Sequence, residues 1–360
     1  MLNDILKAFH PVTEQYKIQP FGDGLINHTW KITDLDGKPQ FILQRINKQV
    51  FLSPDDIADN IKQLNKYLSK TNPGYLFVSP LPTVDGNYLL HYTDDEYYRL
   101  FPYVENSVTI STVENPAQAF EAATQFARFS RLLGDFDSEQ LHYTLPGFHN
   151  LSTRFKQFQQ AVQSAGKERL LYANDWVDKA YHFRDIASKH VDIVKNKLIP
   201  LRVIHHDTKI SNVLFDSNNR GLCVIDLDTV MPGYFISDVG DMMRTYLSPA
   251  NEEEKDLDKI SVRESFFEAI VKGYFAEMGD ILTDAEKSLF VYAGKFMIYM
   301  QAIRFLADYL NNDIYYPTHY PDHNLMRAKN QFTLLERYCA FEDKFEQLIV
   351  QYDNKKRQVV

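Results

Sequence analysis

The amino-acid pattern predicts an α+β chain in two parts, a small antiparallel sheet with one helix over residues 1–104 and a mainly helical part with an embedded hairpin over 105–360. Three observations predict it. Runs rich in Ile, Trp, Thr, Phe and Leu, separated by turn residues, dominate the first hundred positions. From Asn115-Pro116 onward, apolar residues recur at three- and four-residue spacing. One β-like island, LRVIHHDTKISNVLFDSNNRGLCVIDLDTV, interrupts the helical pattern. A length of 360 residues suits two such parts, and 44% apolar residues supply a sizeable core.

Each element has a local cause. Within FGDGLINHTWKITDLDGKPQFILQRIN, two strand-like runs flank Asp-Leu-Asp-Gly-Lys-Pro and form a hairpin. Ser53-Pro54 opens a helix, with Ser as cap, Pro at the first helical position and Asp55 and Asp56 in the first turn. Ile57, Ile61, Leu64 and Leu68 make its apolar stripe. Residues 81–90 and 97–103 read as further strands, with Asp85-Gly86-Asn87 as a turn. The next helix starts at Pro116, carries Phe120, Ala123, Phe126, Ala127, Phe129 and Leu133, and stops at Gly134. Helical stretches follow over 151–171 and 174–196, then from 237 to the end, one of them opened by a capping box at Thr283 and Glu286. KKRQVV reads as a frayed tail.

Composition narrows the function. A net charge of −9 argues against nucleic acid or an anionic membrane as partner. Two distant cysteines, Cys223 and Cys339, exclude a disulfide framework or a cysteine zinc site. The start MLNDILKAFHPV lacks the basic and apolar regions of a secretory signal, so a cytoplasmic protein is expected. The most apolar stretch, 289–307, carries Lys295, Gln301 and Arg304 and reads as a buried helix, not a membrane span.

The chemistry concentrates in HHDTKISN, residues 205–212, with Asp226 fourteen residues after Asn212. A strand, a turn (DSNNRG) and a return strand bring Asp226 back beside Asn212. A carboxylate and an amide oxygen then converge as hard donors for a small cation such as Mg²⁺. Asp207 stands free to receive a proton from an incoming hydroxyl, and Lys209 can neutralise a phosphoryl group in transit. Base, metal ligands and charge stabiliser are the parts of a phosphoryl-transfer site. A loop of turns and caps is the competing reading; the spacing after an apolar strand and across a hairpin favours the site.

HHDTKISN followed by VIDLD resembles the catalytic and metal motifs of the aminoglycoside phosphotransferase and choline kinase superfamily, relatives of protein kinases. The segments FGDGLINHTW, FILQRIN, LPGFHN, VIDLDTVMPG, DVGDMMR and IRFLADYLNND resemble, more narrowly, bacterial N-acetylhexosamine 1-kinases. The resemblance implies a protein-kinase-like two-lobe fold, ATP and Mg²⁺ as cofactors, and transfer to the anomeric hydroxyl of an N-acetylhexosamine. It implies Asp207 as catalytic base, with Lys209 beside it, and Asn212 and Asp226 as metal ligands. His205 would hold the loop and Asp238 or Asp241 would brace it, although both acids could simply cap a helix.

In the same frame, Gly22, Gly24, Asn27 and Thr29 form a phosphate-covering turn, where glycines let the backbone approach oxygens that a Cβ would obstruct. An ordinary hairpin turn is the alternative. Arg45 takes the place of the lysine that protein kinases direct at the ATP phosphates; Gln44 takes it if the register slips by one residue. Its acidic partner is expected to be Asp59, or Asp55 or Asp56. Adenine would lie against 100–103, with Phe101 and Tyr103 near it and the backbone bonding the base edge. Asp228 is assigned to the sugar, with help to the metal as its alternative. Arg304 is the expected sugar contact, because a buried arginine needs a partner, and an ion pair with Asp308 is the alternative. Tyr315 could stack on a sugar face. Competing functions are a kinase for another small alcohol (aminoglycoside, choline or homoserine) and a non-catalytic nucleotide-binding module. A protein kinase is disfavoured, because VIDLD runs almost directly into VMPGYFISDVGDMMR and leaves no room for a long activation segment.

Overall fold

A computed structural model describes residues 1–9, 16–22 and 26–357, with side chains through 354. A five-stranded antiparallel sheet of order β1-β2-β3-β5-β4 occupies the N-terminal part. Its strands are β1 (Lys17–Pro20), β2 (His28–Thr33), β3 (Pro39–Ile46), β4 (Leu90–Thr93) and β5 (Glu96–Pro102), preceded by α1 (Leu2–Phe9). The β2–β3 hairpin turns where the Asp-Gly signal lies: Gly37 takes φ +88° and the Lys38 amide donates to Asp34 Oδ1 at 2.8 Å. Strand alternation then divides the sheet. Ile32, Leu43, Tyr98 and Leu100 turn to one face and pack with Ile5, Leu6 and Phe9 of α1. The opposite face carries Thr29, Gln44 and Arg99.

The helix α2 (Pro54–Thr71) forms as the Ser-Pro start predicts, although Ser53 makes no side-chain cap. Its stripe of Ile57, Ile61, Leu64 and Leu68 joins the large core of the helical part, not the sheet's own core. Buried Asn60 fastens it there, donating to the carbonyls of His142 at 2.9 Å and Val230 at 3.2 Å. Residues 81–90 do not make the expected strand. Leu81 forms one bridge to Leu100, Gly86 turns the chain at φ +83°, and pairing starts at Leu90.

The C-terminal part is helical: α3 (Pro116–Leu132), α4 (Leu151–Ser164), α5 (Lys167–His182), α6 (Asp185–Lys195), then, after the island, α7 (Phe235–Tyr246), α8 (Glu264–Met278), α9 (Asp284–Ser288), α10 (Phe290–Leu310), α11 (His323–Cys339) and α12 (Glu342–Arg357). Asn115 and Asn150 cap α3 and α4 through the Gln118 and Thr153 amides. The expected stretches 151–171 and 174–196 divide differently, because the chain breaks at Ala165-Gly166 and again at 183–184. The Thr283–Glu286 capping box forms, and Glu286 also pairs with Arg202 at 2.8 Å. The helix α12 continues through Arg357, so KKR is helical backbone and not a frayed tail. At the centre lies α10, buried at every position except Lys295 and Arg304. No helix of the described residues is long and apolar enough to cross a membrane.

The island folds into two ribbons. One pairs β6 (Arg202–Ile204) with β9 (Met231–Gly233), and the other pairs β7 (Val213–Phe215) with β8 (Gly221–Val224). Between them run the two loops that carry the chemistry.

Candidate active site

Residues 205–212 leave β6 as a loop that α7 holds from below. Asp238, fully buried, accepts the amides of His205 at 2.9 Å and His206 at 2.7 Å. Asp241, one turn later, accepts the Thr208 amide at 2.9 Å. Both expected braces therefore act together, and the choice between them dissolves. His205 fixes the other side, its Nε2 lying 2.9 Å from the Ile225 carbonyl. His206 takes φ +67° and stacks into the interior, with burial lowering its pKa to about 3. The carboxylate of Asp207 is thereby turned outward and stays 27% exposed. Burial raises its pKa, but Lys209 at 3.3 Å, His205 and the Asn212 amide outweigh it and hold the group below its ordinary value, so Asp207 is ionised.

The β7–β8 hairpin returns the chain as its sequence predicts. The Ile225 amide donates to the Asn212 carbonyl at 2.9 Å, which sets Asp226 beside Asn212. Asp226 adopts φ +60°, a left-handed conformation uncommon for a side-chain-bearing residue and frequent at functional sites. Asn212 donates Nδ2 to Asp207 at 3.1 Å, which leaves its amide oxygen for another partner. Desolvation in the cleft, with Asp228 and Asp207 close by, pushes the Asp226 carboxyl up to about 7. Crowded carboxylates of this kind are relieved by a hard divalent cation. Among the described residues no three His, Cys, Asp or Glu side chains form a ready cage.

The sheet's inner face completes the cleft and changes several assignments. Gln44, not Arg45, points inward. Its Oε1 accepts Arg99 Nε at 3.1 Å and Nη2 at 2.9 Å, and its Nε2 donates to Thr29 Oγ1 at 3.2 Å. Arg45, one residue on, lies on the α1 side and pairs with Glu96 at 3.0 Å. Arg45 thus faces away from Gln44 and the catalytic loop, and its acid is Glu96; Asp59 bonds His142 and Asp55 bonds His91. Asp228 is buried and pairs with Arg99 at 2.5 Å while accepting Asn27 Nδ2 at 2.8 Å, so an arginine and an amide hold the carboxylate that was assigned to the sugar. Gly22 takes φ +77°; Gly24 lies outside the described residues.

An apolar patch of Val78, Leu214 and Cys223, with Phe101, Val104, Leu222 and Ile225 against it, joins the end of β5 to the hairpin. Phe101, expected beside the base, lies in this patch. The Tyr103 amide is already bonded to the Gln40 carbonyl at 3.0 Å, which removes it as a partner for the base edge.

Beyond the catalytic loop, Arg304 lies among Phe148, Tyr315 and Tyr316, with its guanidinium 5.5–5.9 Å from their ring centres. Its hydrogen bond runs to Gln301 at 3.0 Å. Asp308, the alternative partner, accepts instead the amides of Tyr315 and Tyr316 and thereby fixes the two rings. A second guanidinium, Arg154, is close enough that burial and Arg304 together lower its pKa. Phe148 stacks on His149 with ring centres 4.3 Å apart, and His149 meets His206 at a tilt with centres 5.3 Å apart, which ties this cluster to the catalytic loop. Arg99 and Arg154 escaped the sequence reading. Arg99 left one signal, an arginine inside the apolar strand EYYRLFP.

The profile of a family described as "Phosphotransferase enzyme family" (APH) matches residues 17–279, most of the chain, including the catalytic loop and the sheet but not Arg304, Tyr315 and Tyr316. The chain belongs to this family. It is a phosphotransferase with a mixed α+β fold, a small antiparallel sheet followed by a mainly helical part. Solved structures share that fold at low identity. An aminoglycoside phosphotransferase from Alicyclobacillus acidocaldarius subsp. acidocaldarius DSM 446 is 15% identical over 96% of this chain and 95% of its own, with a TM-score of 0.63. Spectinomycin phosphotransferase APH(9)-Ia, in complex with ADP and spectinomycin, is 13% identical over 99% and 98%, with a TM-score of 0.55. A choline/ethanolamine kinase family protein from Mesorhizobium loti is 15% identical over 98% and 99%, with a TM-score of 0.54.

Proposed function

We propose that this phosphotransferase uses ATP and Mg²⁺ to phosphorylate the anomeric hydroxyl of an N-acetylhexosamine, N-acetylglucosamine or N-acetylgalactosamine, giving the sugar 1-phosphate. Asp207, ionised and open to the cleft, orients that hydroxyl and takes its proton. Lys209 offsets charge on the group in transit. Asn212 and Asp226 supply the oxygen donors for Mg²⁺, which neutralises phosphate charge when bound. An anomeric hydroxyl is more acidic than an ordinary alcohol, so positioning contributes more than basicity.

The observation that carries the substrate class is the pair Arg304 and Arg154 beside the catalytic loop. A choline or aminoglycoside site sets acids or open aromatic faces against a cation. Here the aromatic faces already hold a guanidinium, and a second positive charge stands near. Uncharged, oxygen-rich ligands with a carbonyl acceptor, such as acetamido sugars, suit this arrangement. Purified protein with ATP, Mg²⁺ and, in turn, N-acetylglucosamine, N-acetylgalactosamine, choline or kanamycin provides the test. An anomeric phosphate seen by phosphorus NMR on an acetamido sugar supports the reading. Transfer to choline or kanamycin, with none to the sugars, refutes the substrate and keeps the chemistry.

A further inference from the structure

We propose that Arg99, on β5, is the cation that holds the ATP phosphates, a position reached across the sheet from Gln44 and not from β3 itself. The inference rests on the phosphotransferase reading but is independent of the acceptor.

Geometry carries it. Arg99 and Gln44 are directly opposite in the β3–β5 ladder and face the cleft. Gln44 Oε1 takes both Nε and Nη2 of the guanidinium, which fixes its plane and leaves Nη1 facing Asp228. The same guanidinium lies 5.0 Å from the centre of the Phe101 ring. Phe101 belongs to the apolar patch that suits a flat base, while Asp228 is two residues from Asp226. Arg99 therefore stands between the base surface and the metal donors. A polyphosphate that connects a base at the first to a cation at the second must pass it.

Charge points the same way. The Arg99 side chain is only 3% exposed, and a buried cation is costly without a counterion. Its counterion is Asp228, yet Nη1 and Oδ1 face each other without hydrogen-bond alignment, and neither has another partner among the described residues. Incoming phosphate oxygens can take Nη1 while a divalent cation takes the Asp228 carboxylate, so both charges exchange partners and neither is left alone. Gln44 stays as the clamp throughout. A neutral residue is fitting there, since a lysine or arginine opposite Arg99 would repel it.

Nucleotide titration without acceptor tests this. Binding of ATP, ADP and adenosine to the full chain is measured by calorimetry for the wild type and for Arg99→Met, Arg99→Lys, Gln44→Met and Arg45→Ala. Arg99→Met is expected to weaken ATP and ADP about 10- to 100-fold, as loss of charge-assisted hydrogen bonds does, and to leave adenosine within about twofold. Arg99→Lys should recover part of the loss, and Gln44→Met should show a smaller loss with the same selectivity. Arg45→Ala should bind all three as the wild type does. Equal weakening of ATP and adenosine would mean that Arg99 only holds the lobes together, and it would overturn the proposal. So would unchanged ATP affinity in Arg99→Met, or a phosphate-selective loss in Arg45→Ala. If Arg99→Met does not fold, Arg99→Lys and Gln44→Met decide by the same ratio. Failure of the wild type to bind ATP would instead overturn the phosphotransfer reading itself, which is a separate result.

Discussion

Replacing Gly233 by alanine tests how tightly the catalytic loop is packed. An added Cβ at Gly233 would meet His206 Nε2 at 2.5 Å, Ile204 Cδ1 at 2.6 Å and His206 Cε1 at 2.7 Å. Ordinary contact begins near 3.4 Å, so the imidazole must retreat by roughly 0.9 Å. It has little room to do so. The ring's Nδ1 is 3.1 Å from the Thr229 carbonyl, the backbone amide is bonded to Asp238 at 2.7 Å, and φ is already +67°. Overpacking of this kind costs about 1–3 kcal/mol, and the fixed ring places Gly233→Ala near the top of that range. Because Asp207 follows His206, the displacement should also reach the base and lower kcat by about 10- to 100-fold. Urea unfolding and steady-state kinetics measure both effects. The double variant Gly233→Ala/His206→Ala, which removes the obstructing ring, should recover at least about 1 kcal/mol relative to additivity. A single variant within about 0.5 kcal/mol of the wild type, or an additive cycle, would refute the packing argument.

Three further outcomes are expected. Asp207→Asn should lower kcat by about 10²- to 10⁴-fold while ATP affinity changes less than about threefold, checked by single-turnover transfer and calorimetry; near-normal turnover would remove Asp207 as the base. Arg304→Met should raise the KM for the acetamido sugar about 10- to 100-fold with a smaller effect on kcat, since it removes binding shared by ground and transition states; an unchanged KM would remove Arg304 from the sugar site. His190 is buried with its pKa lowered to about 4 from 6.5 by desolvation. The unfolded chain therefore binds the extra proton between pH 6.5 and 4, and the folded state loses stability as pH falls through that window, by up to about 1.4 kcal/mol per unit. His190→Gln should flatten the acid side of the stability curve, and an unchanged slope would show that His190 titrates normally.

What could be read in the sequence was whatever depends on neighbours along the chain. The Asp-Gly turn at residues 36–37, the helix start at Pro116 and the Thr283 capping box each need three or four residues and formed as expected. The catalytic loop was legible for a similar reason. The distance from Asn212 to Asp226 is one hairpin, and hairpin geometry leaves the return strand little freedom. Strand facing was not legible. Arg45 and Gln44 differ by one residue and hence by a full reversal of direction, and only the packing of Leu43 against α1 decides which is inside. Arg154 and Arg304 lie on different helices, α4 and α10, and no local pattern announces their approach. The break at Ala165-Gly166 was marked by its glycine, but the apolar period alone ran across it.

One helix packing relates Asp207 to the Arg304 cluster. Asp238 and Asp241 lie a turn apart on α7 and take the amides of residues 205, 206 and 208, so α7 sets where Asp207 points. Gly240 lies between these acids, where a Cβ would fall inside the contact radius of the Ala293 carbonyl of α10. Only a glycine lets α7 lie so close to α10. The same α10 carries Arg304 about three turns further along, beyond Met297 and Gln301, and Asp308 on its last turn pins Tyr315 and Tyr316. Asp207 and the Arg304 cluster are thus referred to one buried helix, and their separation is a property of α10 rather than of either loop. Arg99 and Gln44 belong to the sheet, and they reach that block through Asp228 and the Phe101 patch. On the proposed reading, the nucleotide phosphates would be held by groups from both parts of the chain and the acceptor by one. Relative movement of the two parts would displace the donor phosphate without disturbing the acceptor hydroxyl or its base.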